Sequence, residues 1–155
     1  MVLWRISRHI DLMGIGGLRA SGRWHHAGNP VVYLAENPAS ALLEVCVHTA
    51  VNDVPPQFTL LEIQGPEVTL TLIDLAKLPD DWQTNLSVTR QIGTEFLRLG
   101  HSALLRVPST IVPHTFNFLF NPFHPDARKF RIASVATYPF DLRIKLGRKL
   151  TEQLR

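Results

Sequence analysis

The order of elements predicts an α+β protein with largely antiparallel strands, and three observations carry that reading. About seven short runs rich in β-branched and aromatic residues read as strands. Two longer stretches carry helical spacing with recognisable caps. Strands and helices then follow one another in mixed order, without the regular strand–helix alternation of a parallel sheet.

Val2 to Ile6 reads as the first strand, with Trp4 and Ile6 on one face and Arg5 on the other. Gly14-Ile15-Gly16-Gly17 follows. No helix of the right spacing opens after it, so a mobile glycine loop at the edge of a cleft is expected rather than a phosphate-binding fingerprint. Gly28-Asn29-Pro30 is a turn, and Val31 to Ala35 a short strand. Asn37-Pro38 opens a helix, with Asn37 as N-cap and Pro38 where its missing N–H costs nothing. This helix runs from Ala39 to about Thr49 and is apolar almost all round, which predicts burial.

Val54-Pro55-Pro56 breaks the chain. Phe58 to Ile63 and Val68 to Asp74 read as two strands of a hairpin turned by Gln64-Gly65-Pro66. Ser87 or Asn85 caps a second helix reaching Leu99, with Val88, Ile92, Phe96 and Leu99 as its apolar stripe and Gly100 as its stop. Ser102 to Val107 is an apolar strand ended by Pro108, which leaves Ser109 just past a strand end. Phe116 to Phe120 places three aromatics around Asn117, and Asn121 to Pro125 is a rigid turn. Phe130 to Tyr138 and Phe140 to Ile144 read as two final strands, separated by Pro139.

At 155 residues the chain suits a single domain, 1–155, with a sizeable core. An apolar content of 45% with 19% charged residues excludes a disordered chain. The net charge of +3 and pI of about 9.4 suit an anionic substrate but are too mild to imply nucleic acid. Much of the excess lies between Arg143 and Arg155, which reads as a solvated end. Arg128-Lys129-Phe130-Arg131 is too short for a nucleic-acid surface. Cys46 is the single cysteine, so no disulfide forms within the chain; it reads as an apolar filler. With no secretory leader pattern and no apolar run approaching about 18 residues, a cytoplasmic protein without a membrane segment is expected.

The local inconsistency is Glu44, a carboxylate inside an apolar helix. It needs a partner, a proton or a water-filled cleft. Ser40, Glu44 and His48 share one face at i, i+4 and i+8. They mark either the solvated edge of that helix or the wall of a cleft shared with Arg23 and Tyr33. The seven histidines show no HExxH pair, and His25 and His26 would point to opposite faces of a strand, so no metal is expected. No GxSxG elbow supports a serine hydrolase.

Gly22-Arg23-Trp24, Pro30-Val31-Val32-Tyr33, Ala41-Leu42-Leu43-Glu44, Val107-Pro108-Ser109 and the Asn117 to Pro125 segment together resemble the RES domain. That family is the toxin half of Xre–RES toxin–antitoxin pairs, and the likeness spans Leu3 to about Phe140. It implies an ADP-ribosyltransferase-like fold, two small sheets facing a cleft that takes NAD. NAD would be consumed as substrate, with no resident cofactor, and the partner would be an Xre-like helix-turn-helix antitoxin.

The resemblance also implies roles. Arg23 and Glu44 are the catalytic candidates; Arg5, Trp24, Tyr33, Ser109 and Asn117 are candidates for substrate binding. The chemistry agrees with these types. A guanidinium holds diphosphate oxygens in pairs, an aromatic ring holds nicotinamide, and a carboxylate faces the ribosyl cation formed when the nicotinamide bond breaks. One departure is His25, where many members have Asn. The acceptor stays open between water, phosphate and a protein, and a non-catalytic binding domain of this fold is the alternative from another class.

Overall fold

The computed structural model describes residues 1–145. Seven strands are hydrogen-bonded into one sheet: β1 (Val2–Ile6), β2 (Val32–Ala35), β3 (Gln57–Gln64), β4 (Leu70–Leu72), β5 (Leu104–Pro108), β6 (Phe116–Phe120) and β7 (Arg131–Pro139). Their order is β4-β5-β6-β2-β1-β3-β7. All neighbours are antiparallel except β4 and β5. Among the described residues the sheet is accompanied by α1 (Gly16–Arg19), α2 (Pro38–His48) and α3 (Leu86–Leu99). The class is α+β, as the element order predicts.

The two expected sheets are present as the halves of this single sheet. Strand β1 pairs with β3 along its whole length, from Val2↔Gln64 to Ile6↔Leu60. Strand β2 likewise uses all four residues against β6. Between β1 and β2 only Trp4↔Ala35 is in register. The halves β4-β5-β6-β2 and β1-β3-β7 therefore meet at a one-residue seam.

Three expectations about the strands and the glycine segment are corrected. β3 and β4 do not form a hairpin. Both edges of β3 are taken, by β1 and β7, so the chain crosses to the far edge of the sheet. There β4 pairs in parallel with β5, and α3 is the crossover between them, a β–α–β unit. The second of the final strands is not formed; residues 143–145 are helical. Asp141 starts that turn, its carboxylate accepting the Arg143 N–H and its carbonyl accepting the Ile144 N–H. The glycine segment is not simply a loop either, since its last two residues open α1. Most of the basic end, residues 146–155, lies outside the described residues.

The core shows why the central strands read as almost continuously apolar: they are covered on both faces. Leu104, Phe118 and Phe120 join Leu3, Val32, Leu34, Leu61 and Ile63 on one side. The alternate residues of the same strands, Leu105, Val107 and Leu119, join Trp24, Val31 and Phe96 on the other, as the two-residue period of a strand requires. Helix α3 covers this second face. Asn85 accepts the Val88 N–H as its N-cap, and Gly100 ends it in the left-handed region at φ 61°. Its buried residues are Thr89, Gly93 and Phe96, while Leu99, expected in the stripe, is exposed.

Helix α2 is capped as expected, the Asn37 side chain accepting the Ser40 N–H at 2.9 Å. It is not buried all round. Ala41 and Cys46 face inward, whereas Val47 is 51% exposed, because the helix lies against the seam between β1 and β2 with its far side open. Burial pushes the Cys46 thiol up in pKa, as fits an apolar filler. No helix among the described residues is long and apolar enough to cross a membrane.

One helix position is set by contact alone. A Cβ on Gly93 would lie 1.7 Å from the Trp24 carbonyl oxygen, whereas one on Gly16 would meet nothing within 4 Å. Gly93→Ala should therefore lower unfolding free energy by about 1–3 kcal/mol, despite the roughly 1 kcal/mol alanine normally gains inside a helix. Gly16→Ala should stay within about 1 kcal/mol of the parent. Urea denaturation of both variants checks the pair.

Candidate active site

A cleft of about 720 Å³ opens at the seam. Its walls come from β1 (Trp4, Arg5, Ile6), β2 (Tyr33 to Ala35), one face of α2 (Ala41, Glu44, Val45, His48) and the Ser21–His25 loop. Register partners bring Asn117 to the same face. Tyr33, Leu119 and Leu105 stand side by side across three strands, and Ala35, Asn117 and Val107 follow two residues along.

Glu44 projects from α2 into this cleft and is held there. Its Oε1 accepts the Asn117 amide at 2.7 Å and faces the Ser109 hydroxyl at 3.5 Å. Oε2 lies 3.9 Å from His48 Nε2, one helical turn on. With 31% of its side chain exposed, Glu44 is a cleft carboxylate rather than a buried orphan or a free surface charge. Ser109 serves two purposes. Its Oγ accepts the Ile111 and Val112 N–H groups at 3.1 and 3.3 Å, closing a turn, and its proton points the turn towards Glu44. The Oδ1 of Asn117 is buried with no partner among the described residues.

The opposite wall is the loop carrying Arg23, fixed from two sides. From the sheet, the Tyr33 hydroxyl accepts the Trp24 N–H at 3.1 Å and lies 2.8 Å from His25 Nδ1. That nitrogen also accepts the Gly22 N–H at 3.2 Å. Nδ1 therefore carries no proton, the Tyr33 hydroxyl donates to it, and His25 is the neutral Nε2–H tautomer. The sequence leaves the role of His25 open; in the structure its Nδ1 receives hydrogen bonds. Its Nε2 closes no hydrogen bond among the described residues, although the Gly17 and Ala20 carbonyls lie near enough to favour its proton. Burial outweighs that pull and holds the imidazole below its usual range; it also pushes the Tyr33 phenol up to about 12. Packing is close: a Cβ on Gly22 would fall 2.5 Å from the Tyr33 oxygen.

From the helix side, four residues of α3 grip the same loop. Thr89 Oγ1 donates to the Arg23 carbonyl at 2.7 Å, and Arg90 Nε to the Gly22 carbonyl at 2.8 Å. Gly93 lies against the Trp24 carbonyl, and Thr94 Oγ1 accepts the His26 N–H at 2.9 Å. The Arg23 guanidinium itself donates to the Gln83 carbonyl at 2.6 Å. Trp24 borders the cleft but is only 2% exposed, its ring packed in the core at 5.9 Å from Trp82. It anchors the loop rather than offering a free ring face.

Arg5, on β1, donates to the Asp11 carbonyl at 3.0 Å; burial lowers its pKa, with Asp11 opposing, yet a guanidinium stays charged. Arg5, Arg23 and a third cleft cation, Arg90, form no ion pair among the described residues. Arg90 was not singled out from the sequence. The available signal was Gly93, a glycine inside a helix with a reason to be there, flanked by the i, i+4 pairs Thr89/Gly93 and Arg90/Thr94.

The α+β sheet thus carries a cleft with guanidinium groups that form no ion pair among the described residues and a tethered carboxylate on another wall. The chain belongs to the RES domain family, whose model matches residues 2–143. It is 48% identical over 134 residues to "Toxin Res" of Pseudomonas putida, covering 85% of this chain and 92% of that one. It is 34% identical over 152 residues to the "Prs ADP-ribosylating toxin" of Sphingobium sp., covering 91% and 94%. Among solved structures, the crystal structure of the M. tuberculosis MbcT–MbcA toxin–antitoxin complex matches with a TM-score of 0.72 at 18% identity. That match covers 89% of this chain and 84% of the other, and shows a shared fold.

The lowered pKa of His25 gives the loop a pH dependence. An unfolded imidazole takes up its proton near 6.5, and the folded one resists until lower pH. The stabilisation is thus complete above 6.5 and is lost as pH falls through the folded value. His25→Gln, which retains an acceptor, should flatten the loss of denaturation midpoint between about pH 7 and about pH 5. Denaturant titrations across that range measure it, and an unchanged acid slope would show that His25 is protonated without strain.

Proposed function

We propose that this chain is the toxin of a toxin–antitoxin pair and that it cleaves NAD at the bond between nicotinamide and ribose. One observation carries the reading: Glu44, tethered by Asn117 and Ser109, shares a cleft with three guanidinium groups that form no ion pair among the described residues. NAD presents the matching pattern, a diphosphate at one place and a ribosyl carbon that becomes cationic at another.

In the reaction the bond from the ribosyl carbon to the nicotinamide nitrogen breaks, both electrons leaving with the ring. Nicotinamide departs neutral and the carbon takes the positive charge. Arg23, its backbone clamped, binds diphosphate oxygens in pairs, and Arg5 adds charge from β1. Glu44 faces the ribosyl cation, and the Asn117 bond aims its Oε1 there in advance. Asn117 and Ser109 also offer polar atoms to ribose hydroxyls. The Tyr33 hydroxyl is occupied by Trp24 and His25, so Tyr33 contributes its ring. Water or phosphate then bonds to the ribosyl carbon, and water loses its proton to solvent.

The names of the relatives support toxicity, and the structural neighbour was solved with an antitoxin. A helix-turn-helix antitoxin of the Xre type is the proposed partner, and the cytoplasm, where NAD is abundant, the proposed site of action. The relative named for ADP-ribosylation favours a second reading in which the acceptor is a protein; bond cleavage is the same in both.

Glu44→Gln should lower kcat for nicotinamide release about 10²–10³-fold with little change in KM, because charge goes and shape stays. Arg23→Ala should mainly raise KM. Products resolved by mass spectrometry with and without phosphate identify the acceptor, and a labelled target protein would select the second reading. Full activity in Glu44→Gln would remove the carboxylate from the mechanism.

A further inference from the structure

We infer that Arg90 is a second diphosphate ligand, forming with Arg23 a two-guanidinium clamp mounted on α3. The inference rests on the NAD reading for its ligand, and on geometry for its site.

Arg90 spends only its Nε on the protein, donating to the Gly22 carbonyl at 2.8 Å. Its two terminal nitrogens have no hydrogen-bond partner among the described residues, although the side chain is half-buried and borders the cleft. Its charge acts on both His25 and Tyr33, the two residues that hold the loop from the sheet side. One residue earlier, Thr89 holds the Arg23 carbonyl. A single turn of α3 thus fixes the backbone of one arginine and carries the side chain of the other.

Two cations that line one cleft, both within electrostatic reach of Tyr33 and neither in an ion pair among the described residues, repel each other, and partial burial deepens that cost. A ligand with two adjacent negative charges relieves it, and a diphosphate carries one charge on each phosphate. The remaining fork of Arg90 offers two parallel donors, the arrangement that suits phosphate oxygens. Arg5 comes from another element, β1, and has the Asp11 charge acting on it, so the clamp consists of Arg23 and Arg90.

The test is calorimetric titration of the full chain with inorganic pyrophosphate, ADP and adenosine, in the parent, Arg90→Gln and Arg90→Lys. Arg90→Gln should weaken pyrophosphate and ADP binding about 10–100-fold and leave adenosine unchanged. Arg90→Lys keeps the charge and the reach to Gly22 but not the fork, so it should fall between the two; it also carries the test if the glutamine variant fails to fold. KM for NAD should rise in parallel, with kcat little changed. Parental affinity for pyrophosphate in a folded Arg90→Gln protein would overturn the clamp, as would an equal loss for adenosine, which would reduce Arg90 to a loop tie. Pyrophosphate binding that depends on Arg90 in a protein that leaves NAD intact would uphold the clamp and refute the NAD reading.

Discussion

The contact on which the site depends is the seating of the Gly22–His26 backbone between α3 and β2. On one side Gly93 has no side chain, which lets the Trp24 carbonyl come against the helix, while Thr89, Arg90 and Thr94 hold the neighbouring peptide groups. On the other, Tyr33 and His25 take up the N–H groups of Trp24 and Gly22. A loop with this many fixed backbone groups has little freedom left. Its arginine is therefore positioned before any ligand arrives, and the entropy of ordering it has been met during folding.

The second constraint is the seam. Because β1 and β2 share one register pair, the sheet halves can part beyond Trp4 and Ala35, and the cleft lies where they do. Helix α2 crosses this opening and delivers Glu44, while β6 delivers Asn117 from beneath. Cation wall and carboxylate wall thus come from different elements, each stiffened by its own packing. Such separation suits a substrate whose negative and incipient positive charges lie several bonds apart.

Much of this was legible in the sequence where the signals are local. Asn37-Pro38 announced α2, Gly100 the end of α3, and the strands stood out by composition. Glu44 stood out because a charge among apolar residues requires an explanation, and the tether to Asn117 supplies one. What escaped was non-local. The turn signal at Gly65 fits a hairpin, but nothing near it records that both edges of β3 are occupied. The last run, from Phe140, has strand-like residues, yet Asp141 caps a helical turn. Arg90 was invisible because it looks like any arginine on the polar face of a helix until the loop 68 residues earlier is laid against it. Trp24, a candidate either to stack on the substrate or to shape its pocket, borders the cleft with its ring packed in the core, an orientation that sequence does not reveal.

The most direct test of the charge arrangement is a crystal structure of Glu44→Gln protein with NAD bound. The diphosphate is expected against the Arg23 loop, with the nicotinamide-bearing ribosyl carbon beside the side chain at position 44 and Asn117 in contact with that same ribose. A dinucleotide bound outside the seam, or one placing its diphosphate by residue 44 and its nicotinamide by Arg23, would contradict the assignment of the two walls.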